Sequence, residues 1–430
     1  MVNEREIILD ALLEILENGE FSDRVTNAVL SKYAYLDRHT KNLILRECEG
    51  TVERLIELDY LISRESKVKI GKMKPLIRTA LRMGTYEIHY MDSIGEHATV
   101  NEIVKLVKKR GMYGLSGFVN GVLRSVARNK DNVSGIPEHV RLSVPEEIYK
   151  MWTAEYGAEK TKEICEAFLS QDGFFVRANE TVVGEEELLR DFRECGAEVS
   201  VTEIENIFGK TLHAIYVKGL SDPASHPLFI KGGFYIQDLG SMAVALAADI
   251  KEGLEVVDVC AAPGGKATHV AQLMGGTGHV LARDLTEDKV SLIEENIDRL
   301  GLSNIDAQVW DATVTDENLT EKCDRVICDL PCSGLGVIGK KPEIKYNCDL
   351  TKIKNLAELQ YNILKASCGY VKHGGRLVYS TCTITKEEND GNTDRFLAEN
   401  PEFTEVGRLQ LFPDKTLHND GFYIAVLERK

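Results

Sequence analysis

EVVDVCAAPGGKATHV, residues 255–270, contains the junction on which the fold turns. Its first six residues form a short, largely apolar run of the kind that makes a buried strand. Small residues and glycines then let the backbone turn tightly and approach a ligand, and the helix that follows offers free N–H donors at its start. The G-x-x-x-x-G-K-[ST] spacing of a P-loop is missing, so taken alone this is a tight strand–helix corner. Downstream the same alternation recurs. Strand candidates GHVLARD, IDAQVWD, DRVICDL, GRLVYST and FYIAVLE are separated by helical stretches such as KVSLIEENIDRL and LAELQYNILKASCGYV. That rhythm predicts a mostly parallel, doubly wound α/β sheet over residues 232–430, with ligands outside the carboxyl ends of its strands.

Upstream the pattern changes. Residues 1–130 read as helices throughout, with periodic segments such as VNEIVKLVKK and FVNGVLRSVA. The stretch DNVSGIPEHVRLSVPEE, with two prolines, marks a linker placed at residues 131–144, and residues 145–231 mix short helices with strand candidates FFVRA, AEVSV and HAIYV, a small α/β subdomain. A chain of 430 residues is long enough for several cores. No apolar run approaches the ~18–20 residues that span a bilayer. The N-terminus has acids where a signal peptide carries bases, and Ile7, Ile8, Ala11, Leu12, Ile15 and Leu16 recur at helical spacing. A cytoplasmic protein is expected.

The net charge of −16 at first speaks against a nucleic-acid partner. By segment, residues 1–60 carry −6, residues 61–130 carry +9 and the remaining 300 carry −19. A local basic patch matters more for phosphate contacts than the overall sign, although a solvated helical face gives the same count. Ten scattered cysteines without paired C-x-x-C motifs read as reduced thiols. Cys323, Cys328 and Cys332 lie along one strand and its exit with no histidine at ligand spacing, so no metal is expected.

Three strand ends finish in an acid. Asp284 stands 20 residues beyond Gly264, where ribose hydroxyls are bound in nucleoside-binding folds; Asp311 is placed for an adenine edge, and Asp329 ends the next strand. A nucleoside-containing cofactor follows. An NAD-dependent dehydrogenase would share this fold but leaves two thiols at further strand ends unexplained: Cys332, three residues after Asp329, and Cys382 in VYSTC. Buried cysteines are often inert. Two at the ligand edge of one sheet, with an aspartate, suit methylation at carbon 5 of a pyrimidine. A thiolate adding to carbon 6 creates an enamine whose carbon 5 attacks a methyl group, an acid at N3 stabilises developing charge, and a base removes the carbon 5 proton. Which thiol attacks stays open on chemistry alone.

At these residues the chain resembles the bacterial RsmB (Sun/Fmu) family of 16S rRNA cytosine-C5 methyltransferases, over essentially its whole length. DVCAAPGGKATH is similar to the family's cofactor loop, with Ala267 where threonine is commoner and Thr268 following. DLPCSGLGVIGKKPEIKY and YSTCTITKEEN resemble its two cysteine motifs, residues 419–430 its closing strand, and FYIQDLGSM the segment that leads into the catalytic domain. LIRTALRMGTYEIHYMD, HATVNEIVKLVKK and GFVNGVLR resemble a NusB-like RNA-binding domain.

The resemblance implies a multidomain fold. An all-α NusB-like domain would occupy residues 1–130, followed by the linker and the small α/β subdomain. A Rossmann-like class I S-adenosylmethionine-dependent methyltransferase domain would then fill 232–430. It implies cofactor contacts from Cys260, Ala261, Ala262, Pro263, Gly264, Gly265 and Lys266, with Asp284 at the ribose, Asp311 at the adenine and Asp329 at the base and the cofactor's amino-acid end. Cys382 would be the nucleophile and Cys332 the residue that assists product release. The implied substrate is cytosine(967) of 16S rRNA in an unassembled or partly assembled small subunit, the protein acting as a monomer. Another rRNA or tRNA site, or a non-catalytic RNA-binding role, are the alternatives. Lys340, Lys341 and Lys345, in the loop after Cys332, are expected near phosphates or on a solvated surface.

Overall fold

The computed structural model describes residues 3–220 and 222–430. They form two compact bodies, one running up to Leu169 and including Ile338–Cys348, the other made of Ser170–Val337 and Asp349–Lys430.

The first body is helical. Its central helix, Pro75–Tyr90, starts with proline at its first turn, where the missing N–H costs nothing, and buries most of its length. Ile77 and Leu81 pack with Ile8 and Leu12 of Glu4–Leu16, Ile103 and Val107 of Glu96–Lys109, and Leu123 of Ser116–Arg128, all at most 1% exposed. Close approach between helices needs small residues here. A Cβ on Gly50, in the helix Arg38–Glu53, would lie 2.0 Å from the Tyr86 hydroxyl. The helices Glu146–Tyr156 and Ala158–Phe168, grouped on sequence with the α/β subdomain, lie in this body, and the expected linker contains a short helix, Glu138–Arg141.

Residues Ile338–Cys348, which follow the segment that carries Cys332, are built into the helical body. Glu343 accepts hydrogen bonds from Ser22 N (3.1 Å) and Ser22 Oγ (2.7 Å), and Tyr346 Oη donates to Val52 O (2.8 Å). Lys345, expected in the open, is 2% exposed and donates from Nζ to Glu53 O at 2.8 Å. Burial, opposed by the Glu53 charge, brings its ammonium down to about 8. Lys341 Nζ lies 3.2 Å from Asp23 Oδ2. Lys345 is therefore a structural cation and not a phosphate contact.

The second body holds two sheets. Strands β1 (Gly173–Ala178), β2 (Glu198–Ile207), β3 (Lys210–Lys218) and β4 (Phe234–Ile236) form an antiparallel sheet in the order β2-β3-β1-β4. The larger sheet uses β5 (Glu255–Asp258), β6 (His279–Asp284), β7 (Ile305–Val309), β8 (Cys323–Asp329), β9 (Val371–Thr381), β10 (Phe403–Leu411) and β11 (Phe422–Arg429). Its order is β10-β11-β9-β8-β5-β6-β7, with β9 through β7 parallel and β10 and β11 antiparallel. One face packs on Leu239–Ala247, Gly265–Leu273 and Glu287–Leu300, and the other on Ile353–Ser367 and Asp390–Glu399. Coverage on both faces explains the buried apolar pairs Val256–Val257 of β5 and Val326–Ile327 of β8, and the Rossmann-like class is as expected from the sequence. Strand β10 was not foreseen. It is an edge strand whose residues are mostly half-exposed, so its pattern lacks an apolar face.

Candidate active site

The order of the sheet reverses at β5, which has β6 on one side and β8 on the other, and ligands gather at such switch points. The turn after β5 is drawn together there by Ala261 N donating to Arg283 O and Gly264 N to Ala261 O, both at 2.7 Å. Gly264 has φ +105°, a conformation that a side chain strongly disfavours, and this backbone opens the helix Gly265–Leu273. A cavity of about 190 Å³ lies against the turn. Cys260, Ala261, Ala262, Pro263, Gly265 and Lys266 line one side of it, and Asp329 closes another.

Sequence reasoning missed the rest of the wall. Tyr235 to Asp238 and Ser241 line the cavity, as does Asp258. The FYIQDLGSM segment was legible as an approach to the domain, but not as a wall of its pocket. Gln237 braces the turn by donating from Nε2 to Gly265 O (3.3 Å), while its Oε1 accepts from Arg177 Nε (3.0 Å). A Cβ on Gly265 would come within 3.1 Å of the Tyr235 ring. Asp258 is fully buried and its Oδ2 has no hydrogen-bond partner. Burial, with the nearby Asp329 charge, pushes its carboxyl up to about 7. A buried acceptor with a free lone pair facing a cavity suits a ligand that brings a cation or an N–H donor.

Asp284 is 4% exposed. Its Oδ2 accepts from Ala262 N (3.0 Å), and its Oδ1 from Leu285 N (2.7 Å) and Lys289 Nζ (2.9 Å), so it ties the β6 end to the β5 turn. Asp311 lies beyond β7 on the surface, where its Oδ1 accepts from Thr313 N (2.9 Å) and Thr313 Oγ1 (2.7 Å), and it does not line the cavity. Those two bonds draw its carboxyl below the usual range.

Asp329 and Lys266 form an ion pair, Oδ2 to Nζ at 2.6 Å, with side chains 24% and 15% exposed. Ser380 Oγ donates to the other carboxylate oxygen at 2.7 Å. Burial pulls the Lys266 ammonium down, but Asp329, Asp258 and Cys382 more than compensate, and it is held above its ordinary value. The two thiols meet. β8 and β9 are parallel neighbours with Asp329 opposite Ser380, so the loops that leave them bring Cys332 Sγ to 3.2 Å from Cys382 Sγ. The Cys332 thiol is pushed well up by its bond to Cys382, by burial, and by the charges of Cys382 and Glu388. Cys260 and Cys328, also near the strand ends, are pushed up chiefly by burial, as befits inert thiols.

Two family models match the chain: one described as 16S rRNA methyltransferase RsmB/F over residues 244–428, the other as the NusB family over residues 2–128. The chain is 36% identical to the probable ribosomal RNA small subunit methyltransferase B of Bacillus subtilis, over 99% of this chain and 98% of that protein. This chain belongs to the RsmB family. The ribosomal RNA small subunit methyltransferase B of Klebsiella pneumoniae is 30% identical over 93% and 91% of the two chains. Among solved structures, PH0851 shares the fold with a TM-score of 0.84 at 24% identity, over 100% of this chain and 99% of that one. NSun6 from Pyrococcus horikoshii, solved with SFG, has a TM-score of 0.55 at 22% identity and covers 66% of this chain and 98% of its own. As a member of the RsmB family the chain is an S-adenosylmethionine-dependent methyltransferase, which displaces the dehydrogenase alternative. The residues present fit that cofactor: Asp258, whose Oδ2 has no partner, lines the cavity, and the β5 turn brings the small residues Ala261, Ala262, Pro263 and Gly265 against it. No helix is long and apolar enough to cross a membrane among the described residues.

One further cluster among the described residues has ligating side chains, Asp191, Cys195 and His226. His226 Nδ1 accepts from Leu228 N at 3.2 Å, so the neutral ring carries its proton on Nε2. That nitrogen lies 3.0 Å from Asp191 Oδ2, a buried oxygen without a hydrogen-bond partner, and 3.5 Å from Cys195 Sγ.

Proposed function

We propose that this chain methylates carbon 5 of a cytosine in 16S rRNA, cytosine(967) in the RsmB assignment, through a covalent bond between Cys382 and carbon 6. The observation that carries the proposal is the pairing of two thiols 3.2 Å apart beside a Lys266–Asp329 ion pair. S-adenosylmethionine supplies the electrophilic methyl group. Lys266 and Asp329 are the polar pair available to the base: the carboxylate can accept from the exocyclic amine, and the ammonium can offset charge that develops at N3. This modifies the role first expected of Asp329, since the cation beside it is the better source of positive charge.

Cys332 suits the release step. A thiol held up by Cys382, burial and Glu388 resists becoming the attacking thiolate and is better placed as a proton-handling group once Cys382 has reacted. Asp258 is the candidate acceptor for the cofactor's ammonium, and Asp284 for its ribose. The target base must be unpaired or extruded for a thiolate to reach carbon 6, which favours rRNA that is not fully assembled. Such a substrate would place the protein in the cytoplasm.

The RNA-facing surface fits the helical body. Several of its cations are engaged with acids: Arg78 with Glu17, Arg82 with Asp59, Lys109 with Glu6 and Arg110 with Asp10. Lys67, Lys69, Lys72, Lys74, Arg124 and Arg128 stand at the surface, and these are the cations of the +9 segment best placed for phosphates.

The test is adduct chemistry with 16S rRNA and labelled cofactor. Cys332→Ala accumulates a denaturation-resistant RNA–protein adduct, and Cys382→Ala forms none. The opposite pattern reverses the two roles, and methylation of tRNA but not of 16S rRNA favours a different target.

A further inference from the structure

We propose that Glu388 is the positioning residue that fixes the Cys332 loop against the Cys382 loop and thereby sets the release step. The inference rests on the reading of Cys332 as the release residue. Glu388 is 0% exposed, six residues beyond Cys382. Its Oε1 accepts from the backbone N of Ser333 (2.8 Å) and from Gln360 Nε2 (3.0 Å), and its Oε2 from Ser333 Oγ (2.6 Å) and Thr385 Oγ1. The same Gln360 Nε2 donates to Pro331 O at 2.9 Å. Both peptide neighbours of Cys332 are therefore gripped, Pro331 by Gln360 and Ser333 by Glu388. Ser333 Oγ is also 2.9 Å from the hydroxyl of Thr383, the residue after Cys382, so the latch joins the two thiol-bearing loops directly.

All four of these donors are neutral. A buried carboxylate held only by neutral groups is an expensive way to tie two loops, since a neutral amide of the same shape could serve. What the carboxylate adds is charge. Bonded to the neighbouring Ser333, that charge opposes formation of the Cys332 thiolate. Geometry and charge together set Cys332 apart: it is locked in place, and its thiolate, formed once the thiol proton has passed to solvent, is the stronger base that takes the carbon 5 proton as Cys382 leaves as a thiolate.

Glu388→Gln separates the two contributions. The amide oxygen can keep Ser333 N and Gln360, and the hydroxyls of Ser333 and Thr385 can rotate to accept from the amide nitrogen, so the latch survives without its charge. In a Cys382→Ser background, iodoacetamide alkylation of Cys332 as a function of pH is expected to move its midpoint down when Glu388→Gln is added. A purely structural role would leave that midpoint in place. With both cysteines intact, Glu388→Gln should form adduct at the wild-type rate and shift the pH profile of adduct release to lower pH. Glu388→Ala should accumulate adduct as Cys332→Ala does.

An unmoved alkylation midpoint, or wild-type release by Glu388→Ala, overturns the proposal. The alkylation arm uses no RNA. If mapping places the adduct on Cys332 while the midpoint still moves, the assignment of thiol roles fails and the action of Glu388 on Cys332 stands.

Discussion

Gly336→Ala tests whether the contact between the two thiol loops is what makes the site work. Gly336 N donates to Cys382 O at 3.0 Å, and Gly336 O accepts from Gly421 N at 2.7 Å, so the residue lies pressed between two backbones. A methyl group there would sit 2.2 Å from Gly421 O and 2.7 Å from Cys382 O, where ordinary contact begins at 3.4 Å. Backbone cannot rotate away as a side chain can. The loop must therefore retreat by about 1.2 Å from Gly421 or about 0.7 Å from Cys382, the shortfalls from that 3.4 Å separation. Overpacking of this kind costs about 1–3 kcal/mol. A displacement of about 1 Å at reacting groups costs roughly 100-fold in rate. Gly336 does not line the cofactor cavity. The expected result is a urea-derived stability lower by about 1–3 kcal/mol, kcat for rRNA methylation down roughly 100-fold, and a cofactor Kd within about twofold of wild type. A kcat within about threefold of wild type at unchanged stability would falsify the idea that this close approach sets the thiol geometry.

Other perturbations probe other parts of the molecule. The raised carboxyl of Asp258 means that the folded state holds a proton between about 4 and 7 that the unfolded state has released, so its contribution to stability falls as pH rises through that window. Asp258→Asn removes that slope. Urea titrations from pH 4 to 8 should show the variant gaining on wild type by a few kcal/mol at most, about 1.4 kcal/mol for each pH unit separating the folded and unfolded carboxyls; parallel curves would contradict the assignment. Lys345→Met removes one of the two donors to Glu53 O, the other being Tyr346 Oη, and should cost about 0.5–1.5 kcal/mol near neutrality. Because the buried ammonium titrates near 8, below its unfolded value, wild type should gain stability over that variant from pH 8 to 10.5, and an equal pH dependence would refute it. Replacing Lys67, Lys69, Lys72 and Lys74 with alanine should weaken rRNA binding and flatten its salt dependence by about 0.7 for each phosphate no longer neutralised; an unchanged slope places the RNA elsewhere.

Much of this protein can be read from periodicity because burial writes itself into sequence. β5 and β8 are covered on both faces and carry adjacent apolar residues, Val256–Val257 and Val326–Ile327; helices such as Glu96–Lys109 and Ser116–Arg128 present one apolar stripe each. β10 escaped because an edge strand with half-exposed residues carries no such signature. Asp258 escaped for a related reason: a single acid inside an apolar run marks a buried site only once its lack of a partner is known. Lys345 was misread because a lysine's charge suggests solvent, whereas its Nζ reaches a backbone carbonyl within a helical core.

The residue types and their order determined by themselves that two thiols and three acids would stand at strand ends, because a strand's polarity places its carboxyl end at the ligand edge. Only the tertiary structure decided which of them meet. β8 and β9 are separated in the chain by a segment that visits the helical body and by the helix Ile353–Ser367, yet they pair as parallel neighbours with Asp329 opposite Ser380. That register brings Cys332 to Cys382, while Asp311, which follows the edge strand β7, stays on the surface. Such pairing depends on long-range packing of buried faces, which the one-dimensional pattern of apolar residues does not encode.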